Sequence, residues 1–126
     1  MMKNILTLLM TPIIATVITH AESAEIELWI EKNAVAENQV TFIPYVKTLH
    51  FSNLRYLLEV DKQGESGRSR TRQGGKLFLQ SDQPKAISTV SLNLKAEDHY
   101  RINLKLYDEQ DKLVAEVVSE APDNLP

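Results

Sequence analysis

The sequence predicts an all-β domain, an antiparallel β-sandwich of about seven strands. Three observations predict it. Apolar and polar residues alternate with period two through most of the chain after residue 24, the spacing of a strand with one buried face. Turn-forming residues recur roughly every eight to twelve positions. No segment of helical length carries a 3.6-residue apolar repeat.

The elements follow in order. Over 25–31, Ile26, Leu28 and Ile30 share one strand face, while Glu25, Glu27 and Glu31 share the other with Trp29 among them. Residues 33–38 read as a turn. Residues 40–46 form a second strand with Val40, Phe42 and Val46 on one side, which leaves Tyr45 facing outward. Pro44 lies inside it and has no N–H to give a ladder, so this strand is expected at an edge or bulged there. Residues 48–53 read as a bend. Leu54, Tyr56, Leu58 and Val60 then alternate with Arg55, Leu57, Glu59 and Asp61.

Residues 62–67 form a turn-rich loop, followed by a strand at 68–73. Gly74-Gly75 is expected to turn tightly into a short strand at 76–80 carrying Leu77 and Leu79. After a turn at 81–84, residues 86–94 alternate around Ile87, Val90, Leu92 and Leu94. A turn at 95–98 leads to Tyr100, Ile102, Leu104 and Leu106. A hairpin turn at 108–111 leads to a last strand at 113–118. A polar tail occupies 121–126.

The N-terminus has a different character. A short positive start with Lys3 precedes an apolar run over 5–18, interrupted by Thr7, Thr11, Pro12 and Thr16. Thr19-His20-Ala21 then places small residues at the −3 and −1 positions of a cleavage site. That is the layout of a secretory signal peptide over 1–21; cleavage after Ala24 is a second choice. A membrane anchor is the alternative, but the run is short and broken for a spanning helix. Residues 22–126 are then one domain, large enough for a single core and too small for two. Cleavage places it in the periplasm, without stable membrane insertion.

The net charge is −3, and losing Lys3 makes the domain more acidic. That argues against nucleic acid as a partner. There is no cysteine, which excludes disulfides, thiolate metal sites and thiol nucleophiles. His50 and His99 stand far apart and in no ligand spacing, so no metal site is expected. Gly64-Glu65-Ser66-Gly67 lacks the last glycine of a nucleophile elbow, since Arg68 stands there. Gly74-Gly75-Lys76-Leu77 lacks the rest of a phosphate loop. Asp108-Glu109-Gln110-Asp111 lacks the calcium-loop pattern. The sequence predicts no enzyme and no cofactor.

One segment stands out. In Gly64-Glu65-Ser66-Gly67-Arg68-Ser69-Arg70-Thr71-Arg72-Gln73, three arginines recur at every second position. On a strand, Arg68, Arg70 and Arg72 project from one face along about 14 Å. Such a stripe suits a partner surface, and charge on an edge strand also discourages sheet-to-sheet addition; the two roles are compatible. Trp29 and Tyr45 form a second candidate contact surface, unless strand twist or a loop covers them.

These segments, with Phe42-Ile43-Pro44, Leu77-Phe78-Leu79, Gln83-Pro84-Lys85-Ala86 and Leu92-Asn93, resemble the CsgC/CsgH family of curli-assembly proteins in order and spacing over nearly the whole mature chain. The Ser-Gly-x-Ser-x-Thr-x-Gln core is the most specific part. The resemblance implies an immunoglobulin-like sandwich and a monomeric, chaperone-like inhibitor of curli amyloid formation. Its implied partner is the major curli subunit or its early oligomers. CsgC carries a Cys-x-Cys pair where this chain has Ser52 and Leu54. A thiol role is therefore excluded, and the activity must rest on surface shape and charge. The alternative function is a structural or adhesive β-sandwich subunit of a surface fibre; the short polar tail and full strand count argue against it.

Because no thiol exists, inhibition of fibre formation is expected to be identical with and without reductant. Parallel polymerisation assays check this, after controls for the effect of reductant on the fibre subunit itself.

Overall fold

The computed structural model describes residues 16–19, 25–50 and 52–122; only the backbone is described for 16–19. The proposed cleavage site after Ala21, most of the signal segment and residues 123–126 lie outside the described residues. The strands are β1 (Thr16–Thr19), β2 (Ile26–Ala36), β3 (Gln39–Thr48), β4 (Ser52–Gly64), β5 (Gly67–Leu79), β6 (Lys85–Ala86), β7 (Val90–Asn93), β8 (His99–Tyr107) and β9 (Leu113–Ala121). One sheet, sheet A, has the order β1-β9-β8-β4-β5. The other, sheet B, has the order β2-β3-β6, and β7 also pairs with β3. Every strand pair is antiparallel. The fold is the β-sandwich that the alternation predicts.

The inner faces meet in one core. Leu28, Phe42 and Val46 from sheet B and Leu58, Ile102, Leu104, Leu106, Ala115 and Val117 from sheet A are fully buried. Each of these side chains except that of Ala115 contributes about 1.5–3 kcal/mol when it leaves water. Phe42 of sheet B and Tyr100 of sheet A join the layers, their ring centroids 5.0 Å apart and tilted by 57°, a favoured aromatic geometry.

The departures from the sequence expectations have local causes. Gly74 and Gly75 do not turn the chain; they lie inside β5, opposite Leu57 and Tyr56. A Cβ on Gly74 would sit 3.0 Å from the Tyr56 carbonyl oxygen, and one on Gly75 would sit 3.0 Å from Tyr56 Cε1. The glycines are there to let a tyrosine lie against the strand. The two predicted strands on either side of them are therefore one.

The strand expected at 86–94 is instead broken into β6 and β7, and Pro44 explains the break. β3 is the central strand of sheet B rather than an edge, with Pro44 opposite Ile30 of β2. The Pro44 carbonyl accepts from the Ile87 N–H at 2.8 Å. In an extended strand a residue's N–H and C=O point to the same side. The missing proline N–H thus faces the gap between β6 and β7, where no ladder partner is required.

The turn expected at 33–38 shrinks to Glu37 and Asn38, with Asn38 at φ 59°. The register shifts between Ala34 and Ala36, as at a β-bulge. The loop expected at 62–67 likewise tightens to a turn at Glu65 and Ser66, followed by Gly67 at φ 120°. The turn at 108–111 forms as expected. The Asp108 side chain accepts from the N–H groups of Gln110 at 2.8 Å and Lys112 at 2.9 Å, the local bonding that makes aspartate a turn residue.

Leu104 is fully buried, so Leu104→Ala is expected to destabilise the domain by about 2–5 kcal/mol. Phe78, which is 62% exposed, is expected to tolerate serine with a change within about 0.5 kcal/mol. Urea unfolding of the two variants checks both.

Candidate functional site

Strand β5 lies at one edge of sheet A, paired along its length with β4. The hairpin turn sets its register. Gly64 lies opposite Gly67, so Arg68, Arg70 and Arg72 fall opposite Gln63, Asp61 and Glu59. Leu58 and Val60 between them point into the core. The arginines therefore project from the outer face of sheet A. All three are well exposed, at 53%, 66% and 67% of their side-chain surface.

The stripe is not a row of free cations. Arg68 reaches Asp61 through two bonds, Nε to Oδ1 at 3.3 Å and Nη2 to Oδ2 at 3.1 Å. Arg70 donates to Asp61 Oδ2 through Nε at 3.3 Å and Nη2 at 3.1 Å. Arg72 Nε donates to Glu59 Oε2 at 3.1 Å. On β8, Arg101 stands opposite Asp61 on one side and Glu120 of β9 on the other, with its Nε 3.3 Å from Glu120 Oε1. Charges alternate in sign across four strands, from Glu120 through Arg101 and Asp61 to Arg70. In this array four guanidiniums share three carboxylates, which leaves an excess of positive charge at the β5 side.

Asp61 is shared by two of the guanidiniums, those of Arg68 and Arg70. Hydrogen bonding from the Arg68 guanidinium is the main reason its carboxyl lies below the ordinary value of 3.8; desolvation opposes the shift and Arg70 reinforces it. The same contact raises Arg68 further above its ordinary value. Glu59 and Asp61 are partners of the stripe that the arginine spacing alone does not announce. The signal for them was present: Glu-x-Asp precedes the hairpin at the distance from its turn at which Arg-x-Arg follows it. Asn103 completes the face, opposite Glu59 and Val118. Its Nδ2 donates to Glu116 Oε2 at 2.8 Å. Its buried Oδ1 has no partner among the described residues.

Trp29 and Tyr45 sit elsewhere. They are opposite each other on β2 and β3, stacked with ring centroids 5.5 Å apart and an interplanar angle of 16°. Their neighbours Leu28, Ile30 and Val46 point into the core, so the pair faces outward from sheet B. The structure thus separates the two candidate surfaces onto opposite faces of the sandwich. Both rings are half-buried, partly by each other.

Ser52 and Leu54, which stand where CsgC is expected to carry its Cys-x-Cys pair, have structural roles in this chain. Ser52 Oγ donates to the His50 carbonyl at 2.9 Å, and Leu54 belongs to the core.

Residues 20–117 match the Tafi-CsgC family, described as thin aggregative fimbriae synthesis protein. The chain belongs to this family. The structure is similar to that of the E. coli curli protein CsgC, with a TM-score of 0.66 at 25% identity over 77% of this chain and 98% of that one. It shares its fold with R. palustris CsgH, with a TM-score of 0.58 at 20% identity over 73% of this chain and 90% of that one. No curated protein sequence matches the chain.

A carboxylate with a depressed native pKa stabilises the fold above its ordinary pKa, and the contribution disappears as pH falls through the native value. Carbon-detected NMR titration is therefore expected to show Asp61 with a midpoint below 3.8. In Arg68→Gln that midpoint is expected to rise toward the ordinary value.

Proposed function

We propose that this chain is a periplasmic, chaperone-like factor in curli assembly that delays amyloid polymerisation of the fibre subunit. The observation that carries the reading is the exposed guanidinium row Arg68, Arg70 and Arg72 on the outer face of β5, in a chain of net charge −3. A local positive field of this kind steers encounters with acidic patches more than it sets affinity. Its partner is the major curli subunit or its early oligomers, met through their carboxylates by charge-assisted bonds. Amyloid grows by adding strands to an open end, so a weak contact with a rare early assembly is enough to delay it. The role needs neither catalysis nor a cofactor, and the domain acts as a monomer. Membership in a fimbria-synthesis family and the likeness to CsgC support the assembly role.

The carboxylates across from the stripe shape the test. Glutamate at 68, 70 and 72 would add repulsion against Glu59 and Asp61, so glutamine is the cleaner substitution. The triple variant Arg68→Gln, Arg70→Gln, Arg72→Gln is expected to fold with unchanged circular dichroism and to lose the delay in thioflavin-monitored polymerisation. Added salt is expected to weaken the wild-type effect, since the Debye length falls from about 10 Å at 0.1 M to about 3 Å at 1 M. Fibre subunit alone at each salt concentration provides the control. A folded triple variant that delays polymerisation as well as wild type overturns the assignment to this face.

A further inference from the structure

The two ends of sheet A are protected in different ways. At one end β5 carries Arg68, Arg70, Arg72 and Lys76 on its outer face, charges that discourage another strand from adding to an edge. At the other end β9 reads Leu-Val-Ala-Glu-Val-Val-Ser-Glu-Ala, with no lysine, arginine or proline. Its two carboxylates are engaged inboard, Glu116 with Asn103 and Glu120 with Arg101 of β8. Over Ala115–Val118 its free side is covered by β1, which pairs antiparallel from Thr16 opposite Val118 to Thr19 opposite Ala115. Yet β1 lies within the segment read as a signal peptide, and the family match begins only at residue 20.

We propose that loss of the leader uncovers β9 as a strand-acceptor edge. Its ligand is an extended, uncharged, β-branched segment of the fibre subunit, bound antiparallel in the register that Thr-Val-Ile-Thr occupies in the full chain. The identity of this partner rests on the function proposed above. Main-chain hydrogen bonding supplies the affinity in such strand addition. A subunit strand held against β9 has one side of its backbone already paired, and so cannot offer that side to a growing fibre end. The arginine face lies on the outer surface of the same sheet, so steering and capture are neighbouring events. The charged β5 edge directs addition to the β9 end.

The test uses the chain from Glu22 onward, labelled with ¹⁵N, and a synthetic peptide of residues 14–21 as the probe. Amide shift changes and slowed hydrogen exchange are expected along 113–121. Val118→Lys places a charge on the outward face of this edge and is expected to weaken capture at least about tenfold. The full chain with its leader retained, whose edge is already covered, is expected to bind the peptide weaker by a similar factor, about tenfold. This second comparison decides the matter if the lysine variant does not fold. Absence of binding at about millimolar peptide, or shifts on β5 or sheet B instead, overturns the proposal. So does a folded Val118→Lys protein that loses capture but delays fibre formation like wild type, an outcome that leaves the arginine-face reading intact. Failure of that reading shows separately, in the arginine variant.

Discussion

The register between β4 and its two neighbours fixes both the core and the charged face. β4 pairs with β5 on one side and β8 on the other. With a side-chain period of two, the register that buries Leu58 and Val60 necessarily points Glu59 and Asp61 outward, opposite Arg72 and Arg70. A slip by one residue would drive two carboxylates into an apolar core and expose the leucine and valine. Burial of these aliphatic side chains therefore holds the charged array in place, at a site where exposed ion pairs alone have little power to do so. With no cysteine in the chain, this register has no covalent support. The Phe42–Tyr100 contact and the packed aliphatic layer keep the two sheets together instead.

Alternation was legible wherever one face is buried and the other is wet. Ile26, Leu28 and Ile30, then Tyr100, Ile102, Leu104 and Leu106, announced their strands and their inner faces because burial selects every second residue. The turn at 108–111 was legible because the Asp108 side chain supplies the bonding itself. The glycine pair was misread because Gly-Gly signals a turn locally, while its role here comes from Tyr56 across the ladder. Pro44 was read correctly as a missing donor but placed in the wrong strand context. A central strand tolerates it because the neighbouring strand is interrupted at the same point. These are tertiary facts, and no local window contains them.

The candidate site was half legible. The arginine spacing gave the face and the direction of Arg68, Arg70 and Arg72. Their neutralising partners required the hairpin register, which only the short turn at Glu65 and Ser66 defines. The consequence is chemical. A stripe paired with Asp61 and Glu59 presents a smaller net field than three free cations would have.

The stacked Trp29–Tyr45 pair has an optical consequence. Trp29 is the single tryptophan of the chain, and its indole lies against Tyr45 across the β2–β3 ladder, on the opposite side of the sandwich from the guanidiniums. Its emission therefore reports the integrity of sheet B while remaining remote from anything docked on the outer, guanidinium-bearing face of sheet A. The protein carries its own internal fluorophore for unfolding, and a ligand on the charged face can be followed by other means without disturbing that signal.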